Sequence, residues 1–148
     1  MRIALGADDR ARVVDALAEY LELRGHEVTR FGRAADRPEA WGETGRQVGE
    51  AVAAGRYELG IVCCYTGTGI SIAANKVPGV RAALCVDAQT ARGARKWNDA
   101  NVLALSLRLT SEEVAKEILE AWLGESYAGT EDESLAVLSR LDAEGRRT

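Results

Sequence analysis

Five short apolar runs recur along the chain with longer stretches of helical period between them: RIALG (2–6), EVTRF (27–31), ELGIVCC (58–64), VRAALC (80–85) and NVLALS (101–106). Runs of that length, each bounded by turn residues, read as strands, and strands that alternate with helices build a parallel sheet covered on both faces. Between the first two runs, Val13, Val14, Leu17 and Leu21 recur at helical spacing. Later, Thr110 followed by Glu113 reads as a capping box, and Val114, Ile118, Leu119 and Trp122 supply the buried face of the helix it opens. A last helix is expected over LAVLSRLDAEG, and the loosest stretch is Gly32 to Gly45, a loop of the kind that borders a site. The chain reads as α/β, five parallel strands in three layers.

In such a sheet, ligands bind beyond the carboxyl ends of the strands, so the residues that directly follow each run are the candidates. After the first run come Asp8, Asp9 and Arg10; Asp9 is equally a candidate cap for the next helix, and Arg10 a candidate for binding an anion. After the third run come Cys64, Tyr65, Thr66, Gly67, Thr68 and Gly69, with a helix expected to open near Gly69. Glycine lets the backbone approach a ligand closely, and the free amides of a helix start attract negative charge. A thiol, a hydroxyl, a carboxylate and a nest of amides thus converge on one sheet edge. Cys63, inside the run, reads as a small buried hydrophobe.

The chain's 148 residues, 47% of them apolar, can bury one core, so a single domain over 1–148 is expected. Three cysteines, two of them adjacent, suit neither a disulfide framework nor a zinc site, and the only histidine, His26, is distant in sequence; no metal is expected. A net charge of −4 with scattered basic residues gives no footprint for nucleic acid. No apolar run is long enough to cross a bilayer, and the amino terminus runs straight into a strand pattern, so a soluble cytoplasmic protein is expected.

The segments GTGISIAANKVPGVRAALC and ARKWNDANVLALSLR resemble the ribose-5-phosphate isomerase B family, which includes the galactose-6-phosphate isomerase subunits; the likeness runs from IALGADD to EAWLGESYAG. The resemblance implies a Rossmann-like three-layer domain that needs no cofactor, with the site shared between the subunits of a homodimer or a dimer of dimers. It further implies that a terminal helix over about 130–145 packs on the partner. The implied reaction is aldose–ketose isomerisation through an enediolate. By position, Cys64 matches the base, Thr66 and the amides of Gly67 to Gly69 the groups around the substrate oxygens, and Asp8 a carboxylate on sugar hydroxyls. Asn98 matches the amide that stabilises the enediolate, and Arg108 an arginine on the anionic end of the substrate. Abstracting a proton beside a carbonyl requires just such a base opposite preset donors.

Several positions depart from the family pattern. Trp97 stands where ring-opening members place a histidine, and an indole cannot serve as that acid. Asp9 replaces a phosphate-contacting histidine, AWGETG replaces Asp-Tyr-Pro, and TEDES (130–134) replaces a basic phosphate-binding cluster. These changes lead to the expectation of an open-chain or unphosphorylated sugar, or a sugar acid whose carboxylate meets Arg108. Ordinary ribose-5-phosphate isomerisation stays open as an alternative, as does a non-catalytic subunit or small-ligand binding module.

Overall fold

A computed structural model describes residues 1–145. The strands are β1 (Arg2–Ala7), β2 (Glu27–Gly32), β3 (Leu59–Cys64), β4 (Ala82–Leu84) and β5 (Val102–Ser106). The helices are α1 (Arg12–Leu23), α2 (Trp41–Ala53), α3 (Thr68–Asn75), α4 (Ala88–Asn98), α5 (Glu112–Leu123) and α6 (Asp132–Gly145), with a 3-10 turn over Arg33–Ala35. All pairings are parallel, in the order β2-β1-β3-β5-β4. This is the expected Rossmann-like α/β/α sandwich.

Strand periodicity divides the core into two clusters. Ile3, Leu5, Ala7, Leu59, Ile61, Cys63, Leu103 and Leu105 pack with α1, α4 and α5, whose inward faces carry Leu17, Leu21, Ala91, Ile118 and Trp122. Ala4, Val62, Cys64, Val102 and Ala104 face the other way, against Val48 and Val52 of α2 and Ile70 and Ala74 of α3. Each fully buried Leu or Ile contributes about 1.5–3 kcal/mol relative to leaving it in water. α2 comes unusually close to the sheet, because a β-carbon at Gly6 or Gly60 would meet Val48 at 2.8 or 2.9 Å.

Four local expectations are corrected. VRAALC yields only a three-residue edge strand, since the Arg81 amide donates to Asn101 Oδ1 (2.7 Å) and Val80 closes a turn onto Val77. The cap of α5 is Ser111, which accepts from the Val114 amide (3.2 Å); Thr110 is buried in the preceding turn, its amide donating to Ser106. Asp9 does not cap α1, because its carboxylate accepts from the adjacent Arg10 amide (2.7 Å) and the N-cap is Ala11. The Gly32–Gly45 segment is not all loop, since α2 begins at Trp41. The last helix forms as expected from 132 on, with no residue of its own buried. No described helix is long and apolar enough to cross a membrane.

Candidate active site

From β1 the chain steps to β2 on one side and reaches β3 on the other, so the crevice between the carboxyl ends of β1 and β3 is the topological switch point. Asp8 leaves β1 there, its amide donating to Cys63 O (3.3 Å). The segment after β3 is tied to the segment after β5: Leu107 N donates to Cys64 O, Arg108 N to Tyr65 O (both 3.0 Å), and Ser106 Oγ also donates to Tyr65 O (3.2 Å). One rim therefore gathers Asp8, Asp9, Arg10, the Cys64–Gly69 segment and Arg108.

Cys64 is the last residue of β3, and its thiol lies in the α2/α3 core cluster with Ile70, 4% exposed. Gly67 is the N-cap of α3 at φ 79°, a left-handed conformation, and no side chain caps the first turn. The amides of that turn are thus left for a ligand. Thr66 and Thr68 share a hydroxyl–hydroxyl hydrogen bond of 2.8 Å beside it. Cys63 faces the opposite core; burial pushes its thiol up to about 12, with Cys64 and Asp8 adding to the rise, so it stays protonated at neutral pH.

Tyr65 is exposed at the mouth, and the Arg108 guanidinium lies 5.8 Å from its ring centroid. Arg108 has no carboxylate partner among the described residues, whereas Arg10 forms an ion pair with Asp36, so the expected anion binder is engaged elsewhere. Burial raises the Asp8 carboxyl above its ordinary value, the Asp9 charge adds to the rise, and a backbone hydrogen bond partly opposes it. A carboxyl raised on folding binds protons more readily in the native state, so stability falls as pH rises through that interval. At neutral pH the ionised Asp8 therefore costs stability that an amide does not. Asp8→Asn is expected to raise Tm at pH 7, with the gain vanishing in acid below the unfolded carboxyl's pKa, and to lower activity; a lower Tm at pH 7 would refute the account.

Trp97 and Asn98 do not join this rim. They end α4, and the turn that follows is fastened to the start of β4 by Arg81 Nε donating to Asp99 O (2.6 Å) and Asn101 N donating to Arg81 O (3.0 Å). Cys64 pairs with Ser106 and Gly60 with Val102, so the opposite rim lies four residues away, roughly 13 Å at strand spacing. The Trp97 ring folds back on Gly93 of its own helix, with Lys96 Nζ 5.7 Å from its centroid. The acidic segment opens α6, where Asp132 accepts from the Tyr127 hydroxyl (2.7 Å). The groove between α1 and α5, about 340 Å³ and lined by Arg12, Asp15, Glu19, Tyr20 and Lys116, shares no residue with either rim.

One residue at the rim was given no role by the sequence, where AWGETG stood only as a departure from the family pattern. Trp41 opens α2, and its indole lies on Gly69 of α3. The available signal was the pair Gly45 and Gly49, one turn apart, which lets α2 approach α3: a β-carbon at Gly45 would meet Ala73 Cβ at 2.8 Å.

The switch point of the parallel sheet thus holds a buried thiol at a strand end and, three residues on, a helix start whose amides no side chain caps, an arrangement with room for an anionic oxygen. The sequence profile described as Ribose/Galactose Isomerase matches residues 3–137. Ribose-5-phosphate isomerase B of Escherichia coli is 40% identical over 129 residues, covering 86% of this chain and 87% of that one. D-erythrulose-4-phosphate isomerase of Pectobacterium atrosepticum is 38% identical over 132 residues, covering 87% and 86%. The solved ribose-5-phosphate isomerase B of Clostridium thermocellum superposes with a TM-score of 0.92 at 38% identity, over 97% of this chain and 99% of that one. The chain belongs to the Ribose/Galactose Isomerase family and is an aldose–ketose isomerase. The expectation of an unphosphorylated sugar or sugar acid finds no support among these relatives, each of which is named for a sugar phosphate.

Proposed function

We propose that the protein interconverts an aldose phosphate and its ketose phosphate, with ribose 5-phosphate and ribulose 5-phosphate as the pair its relatives favour. The observation that carries this reading is Cys64 at the end of β3, joined to the uncapped start of α3 by Tyr65, Thr66 and Gly67 alone. In the open-chain aldose, the Cys64 thiolate takes the C2 proton and the electron pair moves onto O1. The amides of Gly67 to Gly69 and the Thr66 hydroxyl hold the resulting enediolate. The thiol then returns its proton to C1 while the hydroxyl proton of O2 passes to O1, giving the ketose. Asp8 orients sugar hydroxyls, Tyr65, Thr68 and Asp9 border the carbon chain, and Arg108, free of a carboxylate, receives the phosphate. No step calls for a cofactor, and free thiols at Cys63, Cys64 and Cys85 fit a cytoplasmic enzyme.

A four-carbon substrate is the second reading, favoured by Trp97. A sugar phosphorylated on O4 has no hydroxyl able to close a furanose ring, so it needs no ring-opening acid at that position. Assays on ribose 5-phosphate, erythrose 4-phosphate and free ribose test both: turnover of a phosphorylated sugar with C2 proton exchange is expected. Turnover of free ribose alone would overturn the phosphosugar reading.

A second copy of the chain is proposed to complete the site, because Asn98 lies at the rim opposite its own Cys64. Exposed Val137, Leu138 and Leu141 on α6 supply an apolar stripe for that contact. Cys64→Ser and Asn98→Ala should each be inactive, yet co-refolded mixtures should regain about a quarter of wild-type activity, since half the dimers then carry one intact site. No recovery from folded, dimeric mixtures would remove Asn98 from the site.

A further inference from the structure

Trp41 touches the cradle without belonging to the core. A β-carbon built at Gly69 would meet Cδ2, Cε2 and Cε3 of the indole, each at 3.2 Å, so the ring lies flat on the first turn of α3, whose amides no side chain caps. The residue remains half exposed, at 48%, while the buried side of α2 is made by Thr44, Val48, Ala51 and Val52 instead. Tyr65 precedes the Gly67 N-cap by two residues, with the Arg108 guanidinium beside its ring. A substrate whose oxygens rest on these amides has the indole as one wall of the passage its remaining carbons take.

We propose that Trp41 is a specificity-determining residue, its indole walling the cradle so that sugar phosphates of four and five carbons are accepted and those of six are excluded. The proposal rests on the sugar-phosphate isomerase reading above. An indole has only two side-chain torsions, and here it is backed by a helix backbone, so it acts as a rigid wall. Such a wall discriminates one additional carbon by about 10–200-fold. A smaller side chain at the same position would cover Gly69 and leave the passage open.

The test measures kcat/KM for erythrose 4-phosphate, ribose 5-phosphate and allose 6-phosphate in the wild type, Trp41→Ala and Trp41→Leu. In parallel, dissociation constants are measured for the aldonic acid phosphates of four, five and six carbons, which need no turnover. Trp41→Ala is expected to raise the six-to-five-carbon ratio at least about tenfold in both readouts, through KM more than kcat, with Trp41→Leu intermediate. A purely structural role would lower Tm and all substrates together, leaving the ratio unmoved; an unchanged ratio in either folded variant overturns the proposal. Absence of turnover with all three sugars in the wild type overturns the isomerase reading alone, and the binding ratio then still decides for or against the wall.

Discussion

Cys64→Ser is expected to lower kcat by about 10²–10⁴-fold, the range that a positioned proton-transfer group supplies. Serine keeps the shape of the side chain, but its hydroxyl does not ionise near neutral pH, so the chemical step fails while the cradle stays in place. Far-ultraviolet circular dichroism and the affinity for a phosphorylated aldonic acid should change little. Cys63→Ala is the control. Its thiol is buried on the opposite face of β3 and pushed up to about 12, so it holds its proton and takes no part in transfer. That variant should keep most of its activity. A Cys64→Ser enzyme that turns over normally would remove the thiol from the mechanism and leave the fold and family untouched.

Gly67→Ala is expected to damage both stability and rate. At φ 79° an L-residue costs about 1–3 kcal/mol in backbone strain alone. The added β-carbon would also lie 2.6 Å from Leu84 Cδ1, 2.9 Å from Leu105 C and 3.0 Å from Leu105 O. Leu84 can swing aside, but Leu105 is backbone of β5, held in the ladder with β3, so the turn itself must move. Moving it carries the amides away from the developing oxyanion, and losing one such donor costs about 10²–10³ in rate. A fall of several degrees in Tm together with at least a hundredfold loss of kcat is the expected result. Gly69→Ala should be milder, since its β-carbon meets the face of the indole of half-exposed Trp41 at 3.2 Å, a side chain that can shift outward. Wild-type kcat in Gly67→Ala would show that the amides of this turn do not stabilise the transition state.

Hydrophobic period was enough to place the strands, because a run such as ELGIVCC is buried on both faces wherever it sits in a parallel sheet. The same local logic marked the residues after β1, β3 and β5 as the rim, since parallel strands must all end on one edge. Cys64, Thr66, Gly67 and Asp8 were legible for that reason, whereas Arg108 was marked only by the family resemblance. The cap of α5 was misplaced by one residue, from Thr110 to Ser111, because either hydroxyl satisfies the pattern and only the turn from Ser106 decides which one faces the helix.

Other features depended on contacts between elements distant in sequence. Arg10 is engaged by Asp36 only because the loop after β2 folds over the end of β1, and Trp41 reaches Gly69 only because glycines let α2 press against α3. Trp97 and Asn98 come shortly before a strand that ends at the rim, yet they lie at its far end, because a helix joining two parallel strands must run back to where the next strand begins. Periodicity records which face of a segment is apolar and is written residue by residue. The direction in which a connection returns, and which side chain it carries to which edge, is set by the packing of whole elements, and only the tertiary structure decides it.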